Sequence, residues 1–179
     1  ELEAFRQEIA TGKPVTGFSR NLANKLVVSK IKEALGLDQL QVALSGAAPI
    51  SVSTLEFFAS IGVPIHEGYG MTETTAFASV QPYGRLRFGT IGKPLPGVEA
   101  KIAEDGEIML KGINMVKGYH RLPDKTAELA DEEGWMHTGD LAVMDDDGYC
   151  NIVGRIKDMV IRGGENVYPR EVEEFLHTH

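Results

Sequence analysis

The feature that most limits the fold is a pair of acidic turns, each ending in glycine and each set between two strand-like runs. Glu104-Asp105-Gly106 separates Lys101-Ile102-Ala103 from Glu107-Ile108-Met109-Leu110. Asp145-Asp146-Asp147-Gly148 separates Leu141-Ala142-Val143-Met144 from Tyr149-Cys150-Asn151-Ile152-Val153-Gly154. Asp-Gly between such runs signals a hairpin. Residues from about Val98 to Val153 therefore read as a small antiparallel β unit. Upstream the texture differs. Leu40 to Leu44 is a short apolar run ending in Ser-Gly and reads as a buried strand. Ser51 to Ile61 places Val52, Leu55, Phe58 and Ala59 at helical spacing, and Pro64 to His66 begins a second strand. Strand, helix and strand in this order predict a parallel α/β unit. The segment after the second strand then lies at its carboxyl end, where loop backbone groups are free to meet a ligand.

The flanks are less regular. Glu1 to Gly36 reads as mostly helical, with Leu26, Ile31 and Leu35 as a rough stripe and Gly36 as a C-cap. Near the other end, Met159 to Ile161 reads as a strand and Arg162 to Asn166 as a loop. Pro169 opens a helix whose apolar side is Val172, Phe175 and Leu176. The expected fold class is α/β. Residues 1–97 form a partial parallel α/β subdomain, 98–154 a small antiparallel, barrel-like β subdomain, and 155–179 a hinge and the start of a small α+β C-terminal domain.

Composition narrows the function classes. The net charge is −8 over 179 residues, where a nucleic-acid-binding surface calls for a basic stripe, so nucleic acid is not an expected partner. Net acidity does not exclude anionic ligands, because local site charge can oppose it. Cys150 is the only cysteine, which excludes an internal disulfide and fits a reducing, cytoplasmic setting. No run of 18 apolar residues is present, so no spanning helix is expected. There is no Walker phosphate loop, GxSxG elbow or HExxH, and Asp145 to Gly148 lacks the Glu that would complete a calcium loop.

Four short motifs then follow in order: Gly46-Ala47-Ala48-Pro49, Gly68-Tyr69-Gly70-Met71-Thr72-Glu73, His137-Thr138-Gly139-Asp140 and Gly154-Arg155-Ile156-Lys157-Asp158. Each has an ordinary explanation by itself. The first suits a turn after a strand. In the second, Thr72 would be an N-cap and Glu73 would favour a helix dipole. In the third, Asp140 would be an exposed turn aspartate and His137 a structural histidine, as His66 also reads. The fourth suits a charged linker. Together they supply glycine-flanked amides, an aromatic face, a hydroxyl, two carboxylates and cations, which is what an adenylate site requires.

In this order and wording the chain resembles the adenylate-forming superfamily, and fatty-acyl-CoA synthetases most, from about Val42 to the last residue. The resemblance implies a two-step ligase reaction on a carboxylic acid, with ATP and CoA as co-substrates and Mg²⁺ as cofactor. It implies that Glu73 binds Mg²⁺, Thr72 contacts the α-phosphate, and Tyr69 lies on adenine. Gly68, Gly70 and Met71 would border the acyl and adenine groups, as would Gly46, Ala47, Ala48 and Pro49. Asp140 would accept the ribose hydroxyls, two oxygens matching a vicinal diol. Ile152 and Arg155 would complete the nucleotide contacts, and Lys157 would be the hinge. Gly163 and Gly164 would clear space for the pantetheine arm of CoA, although a plain β-turn needs them equally. The relatives' phosphate-binding Ser/Thr/Gly-rich loop and adenylation lysine match nothing in this chain. The expectation is thus a fragment, nearly inactive alone and prone to self-association through open sheet edges. Peripheral membrane association is left open. An aryl- or amino-acid ligase and a non-catalytic nucleotide-binding domain remain as alternatives.

Overall fold

The computed structural model describes Glu3, Gln7, Leu22 and residues 24–162, 165–167 and 169–177. The chain divides into two compact units, 1–68 with 81–89 and 69–80 with 90–179.

In the first unit a π-type turn, Asn24–Val28, runs into helix α1, Ser29–Ala34. Gly36, at φ +69°, ends this helix as the sequence predicts. The Leu37 and Gly36 amides donate to the Lys32 and Glu33 carbonyls, so the last turn leaves few carbonyls bare. Strand β1 is Ala43–Ser45, beginning later than the apolar run does. Leu40 and Val42 precede it and are exposed. Helix α2, Val52–Ser60, starts at Ser51, whose side chain accepts the Thr54 amide. Its inward residues Leu55 and Ala59 are fully buried. Strand β2, Ile65–Tyr69, pairs in parallel with β1, Ala43 facing Ile65 and Ser45 facing Glu67. The expected strand–helix–strand unit is thus present. Val28, Ile61 and Val63 form its core with Ile31, Leu37, Ala43 and Phe58.

The second unit begins at Tyr69, so β2 carries the chain from one unit into the other. A one-turn 3₁₀ segment, Thr72–Thr74, follows. Short strands β3, Ser79–Val80, and β4, Lys93–Pro94, then pair antiparallel. The main sheet runs in chain order through β5, Val98–Ile102; β6, Glu107–Gly112; β7, Met136–Met144; and β8, Cys150–Arg155. Both acidic turns close hairpins in it, as expected. This is an open, curled half-barrel, not a closed one. Helix α3, Pro123–Ala127, lies in the connection between β6 and β7. Ala78, Ile108, Leu110, Met136, Ala142 and Cys150 form the core. Burial pushes the Cys150 thiol up to about 11, as it disfavours the thiolate.

Strands β9, Val160–Arg162, and β10, Glu165–Val167, make a final hairpin. The segment read as an Arg162 to Asn166 loop is therefore partly strand. Backbone pairing with β9 outweighs the weak β preference of Glu165 and Asn166. Helix α4, Pro169–His177, opens on proline as expected. Among the described residues no helix is long and apolar enough to cross a membrane.

Candidate active site

Most of the candidate residues lie in the second unit. Tyr69 ends β2 and turns its hydroxyl to Asp140, donating to Oδ2 at 2.6 Å. Asp140 sits in β7 and is 5% exposed, which rules out the exposed-turn reading. It faces Arg155 across the β7–β8 ladder, and the Arg155 Nε donates to Oδ1 at 3.0 Å. Three residues from three motifs thus meet at one carboxylate. Each of its oxygens can accept a further hydrogen bond, so a diol remains chemically acceptable. Burial, and then the adjoining Asp140 carboxylate, hold the Tyr69 hydroxyl far above the ordinary tyrosine range. The phenol therefore stays a neutral donor. Arg155 is largely exposed, 68% for its side chain, leaving most of the guanidinium in solvent.

The loop after Tyr69 is tightly folded. A Cβ placed on Gly70 would lie 1.9 Å from the Ala76 carbonyl oxygen and 2.8 Å from the Phe77 Cα. The glycine is thus required by the chain's own backbone, whatever else approaches it. Met71, not Thr72, occupies the cap position of the 3₁₀ turn. The turn is short because the buried Thr74 hydroxyl bonds back to the Met71 backbone, and Thr75 then turns left-handed. Thr72 is exposed, and Met71 packs against the core of this unit. Thr75 and Ala76 both hold positive φ, at 50° and 85°. Single non-glycine residues there cost on the order of 1–3 kcal/mol and need surrounding contacts to persist.

Those contacts come from residues 114–119, which the sequence reading did not single out. The Asn114 side-chain amide donates to the Thr74 and Phe77 carbonyls at 3.0 and 2.8 Å. Thr75 Oγ1 donates to the Asn114 carbonyl at 2.8 Å, and the Val116 amide to the Glu73 carbonyl at 2.8 Å. Tyr119 donates its hydroxyl to Glu73 Oε1 at 2.6 Å. That bond to the carboxylate raises the Tyr119 hydroxyl above its ordinary value. The only local signal was the pair Gly118-Tyr119, which carries no chemistry until its partner is known.

Glu107 was likewise missed. Its carboxylate, 5% exposed, meets the Gly139 amide and His137 Nδ1, each at 2.7 Å. A glutamate opening a strand after Asp-Gly reads as solvated, and only the register turns it inward.

The remaining candidates are dispersed. Ile152 lies in β8 opposite Ala142 and packs against the core. Lys157 is exposed in the turn after β8. Gly46, Ala47, Ala48 and Pro49 lie exposed in the first unit between β1 and α2, with Ala47 at φ +67°. Gly68, buried on β2, also belongs to that unit. Gly163 and Gly164 lie outside the described residues. No group of three His, Cys, Asp or Glu side chains is gathered for a metal among the described residues. One carboxylate suffices for Mg²⁺ where phosphates and water supply its other ligands. Glu73, half-buried with Oε1 oriented by Tyr119, fits that requirement.

The fold is that of the adenylate-forming superfamily. Residues 10–120 match the AMP-binding enzyme family, and the chain belongs to it. It is 49% identical over 155 residues to fadD11 of Mycobacterium tuberculosis, assigned as a fatty-acid–CoA ligase, covering 86% of this chain and 27% of that protein. The chain thus spans about a quarter of the length of that relative. Among solved structures it is similar to ATP-bound MatB of Rhodopseudomonas palustris, with a TM-score of 0.74 and 40% identity over 83% of this chain and 31% of that one. O-succinylbenzoate coenzyme A synthetase of Bacillus subtilis, in complex with ATP and magnesium ion, gives a TM-score of 0.70 at 36% identity, over 78% of this chain and 31% of that one.

Proposed function

We propose that this chain is part of an AMP-forming acyl-CoA synthetase acting on a carboxylic acid, with a fatty acid as the substrate class. The names of the curated relatives support the fatty acid. The observation that carries the reading is the convergence of Tyr69 and Arg155 on the buried carboxylate of Asp140.

In the first half-reaction the acid's carboxylate attacks the α-phosphorus of ATP and pyrophosphate leaves. In the second a CoA thiol attacks the acyl carbonyl and AMP leaves. Asp140 accepts the two ribose hydroxyls and so fixes the nucleotide's rotation. Tyr69, tethered through its hydroxyl, presents its ring to adenine. Ile152, Gly70 and Met71 border the base and acyl group. Thr72 donates to the α-phosphate, where charge grows in the transition state, and Arg155 adds a cation. Glu73 would hold Mg²⁺, which when bound neutralises phosphate charge. Lys157 marks a hinge between residues 98–154 and 155–179. Rotation there would exchange the adenylation arrangement for one in which Gly163 and Gly164 admit pantetheine.

The test is AMP binding to this chain by calorimetry, together with carboxylate-dependent pyrophosphate release by a full-length enzyme carrying this segment. Asp140→Ala should abolish the first and lower the second at least a hundredfold, about the loss expected when orienting contacts are removed. Binding and turnover untouched by Asp140→Ala would sink the assignment.

A further inference from the structure

β6 and β7 do not pair evenly. Glu107 faces Leu141 and Met109 faces His137, so β6 advances from 107 to 109 while β7 runs from 141 back to 137. Thr138, Gly139 and Asp140 therefore stand opposite a single residue, Ile108. Such a bulge forfeits ladder hydrogen bonds, and its buried amides must find other acceptors. Gly139 adopts φ +75° with nothing within 4 Å of where a Cβ would stand. The glycine is there for backbone freedom and not for space.

The replacement bonds come from side chains. Thr138 Oγ1 donates to the Ile108 carbonyl at 2.7 Å and accepts the Asp140 amide at 3.1 Å. Glu107 supplies the rest, Oε1 accepting the Gly139 amide and Oε2 meeting His137 Nδ1, each at 2.7 Å. An ionised carboxylate only accepts, so it serves both partners at once when the imidazole proton is on Nδ1. The carboxylate bridges the two residues that flank Thr138, directly before Asp140. Nothing else among the described contacts fixes the Gly139 amide.

We propose that Glu107 is a positioning residue for the ribose site, its buried carboxylate setting the direction in which the bulge presents Asp140. The inference rests on the reading of Asp140 as the ribose ligand. Glu107 touches no substrate and acts through the Gly139 amide and the His137 ring.

The experiment compares Glu107→Met, Glu107→Asp, Glu107→Gln and Asp140→Ala with the unsubstituted chain. Amide hydrogen exchange at Gly139 and Asp140, ¹⁵N shifts of the His137 ring and the dissociation constant for AMP are measured. Glu107→Met keeps volume but offers no acceptor. It should speed exchange at both amides and weaken AMP binding about tenfold, the lower end for lost supporting hydrogen bonds. Glu107→Gln should stay within about threefold of the unsubstituted chain, since its oxygen still accepts from Gly139 while its NH₂ donates to His137. The imidazole proton then moves to Nε2, which the ¹⁵N shifts read directly. Glu107→Asp is too short to reach both donors and should fall between the two. It decides the matter if the methionine variant does not fold. Unchanged exchange and AMP affinity in the methionine or aspartate variant would overturn the proposal, as would a glutamine variant no better than methionine. If the unsubstituted chain and Asp140→Ala bind AMP alike, the ribose reading fails. The exchange rates and the tautomer still decide whether Glu107 sets the bulge.

Discussion

Removing one hydroxyl, by Tyr69→Phe, measures how firmly the Asp140 carboxylate is held. The bond is 2.6 Å long and its acceptor is 5% exposed, so water replaces the lost donor poorly. Hydrogen bonds to charged groups contribute about 1.5–3 kcal/mol, and because Tyr69 is only partly buried the lower value, about 1.5 kcal/mol, is expected. Trp135 is the only tryptophan and lies in the unit that contains Tyr69 and Asp140, so its emission in urea reports that unit. The second signature is alkaline. Burial and the neighbouring carboxylate raise the Tyr69 hydroxyl in the folded state. The unfolded chain loses that proton near the ordinary value of about 10, so the contribution is complete below about pH 10 and is lost as pH rises toward the folded value. Phenylalanine has no proton to lose, so the gap between the two proteins should narrow above about pH 10. A difference below about 0.5 kcal/mol at neutral pH, or a gap that stays constant into the alkaline range, would refute the reasoning.

Three further outcomes are expected. Gly70→Ala drives a methyl into the Ala76 carbonyl, where backbone cannot yield cheaply, and should destabilise the second unit by about 2 kcal/mol or more in the same urea assay. Tyr119→Phe should change stability by less than about 0.5 kcal/mol, because Tyr119 is exposed, yet raise the Mg²⁺ needed for half-maximal ATP binding about tenfold. An unchanged Mg²⁺ requirement would remove Tyr119 from the metal site. Leu40, Val42 and Leu44 lie exposed around β1, so sedimentation equilibrium should find concentration-dependent association, reduced by Val42→Glu. A monodisperse monomer across the range would count against it.

Local chemistry was legible in the residues. Asp105-Gly106 and Asp147-Gly148 fix two hairpins because few other dipeptides turn so tightly, and Ser51 marks a helix start because its side chain accepts the Thr54 amide. Pairings made at a distance were not. β10 forms because β9 offers it a ladder, although Glu165 and Asn166 favour loops. Tyr119 and Glu73 lie 46 residues apart, and Asn114 reaches Phe77 across 37. Neither link has a spacing rule to betray it. The burial of Asp140 and Glu107 depends on two register shifts in β7, and a one-residue change in register reverses which face a side chain takes.

The positions of strain tie these observations together. Among the described residues four non-glycine residues hold positive φ: Ala47, Thr75, Ala76 and Arg121. Ala47 falls in the first motif, and Thr75 and Ala76 lie two and three residues after Glu73. Strain of this size persists only where neighbours over-determine the conformation, and Asn114, Val116 and Tyr119 do so for the loop after Glu73. The Gly68 to Glu73 motif is therefore not a site that a peptide of the same sequence could reproduce. Its shape is imposed by residues 114–119, and its tyrosine is oriented by Asp140, 71 residues further along the chain. The family match ends at residue 120, short of both Asp140 and Arg155. The similarity to the curated relatives extends over 86% of the chain and so takes in Asp140, and the geometry adds what similarity alone does not give, the convergence of Tyr69 and Arg155 on that carboxylate.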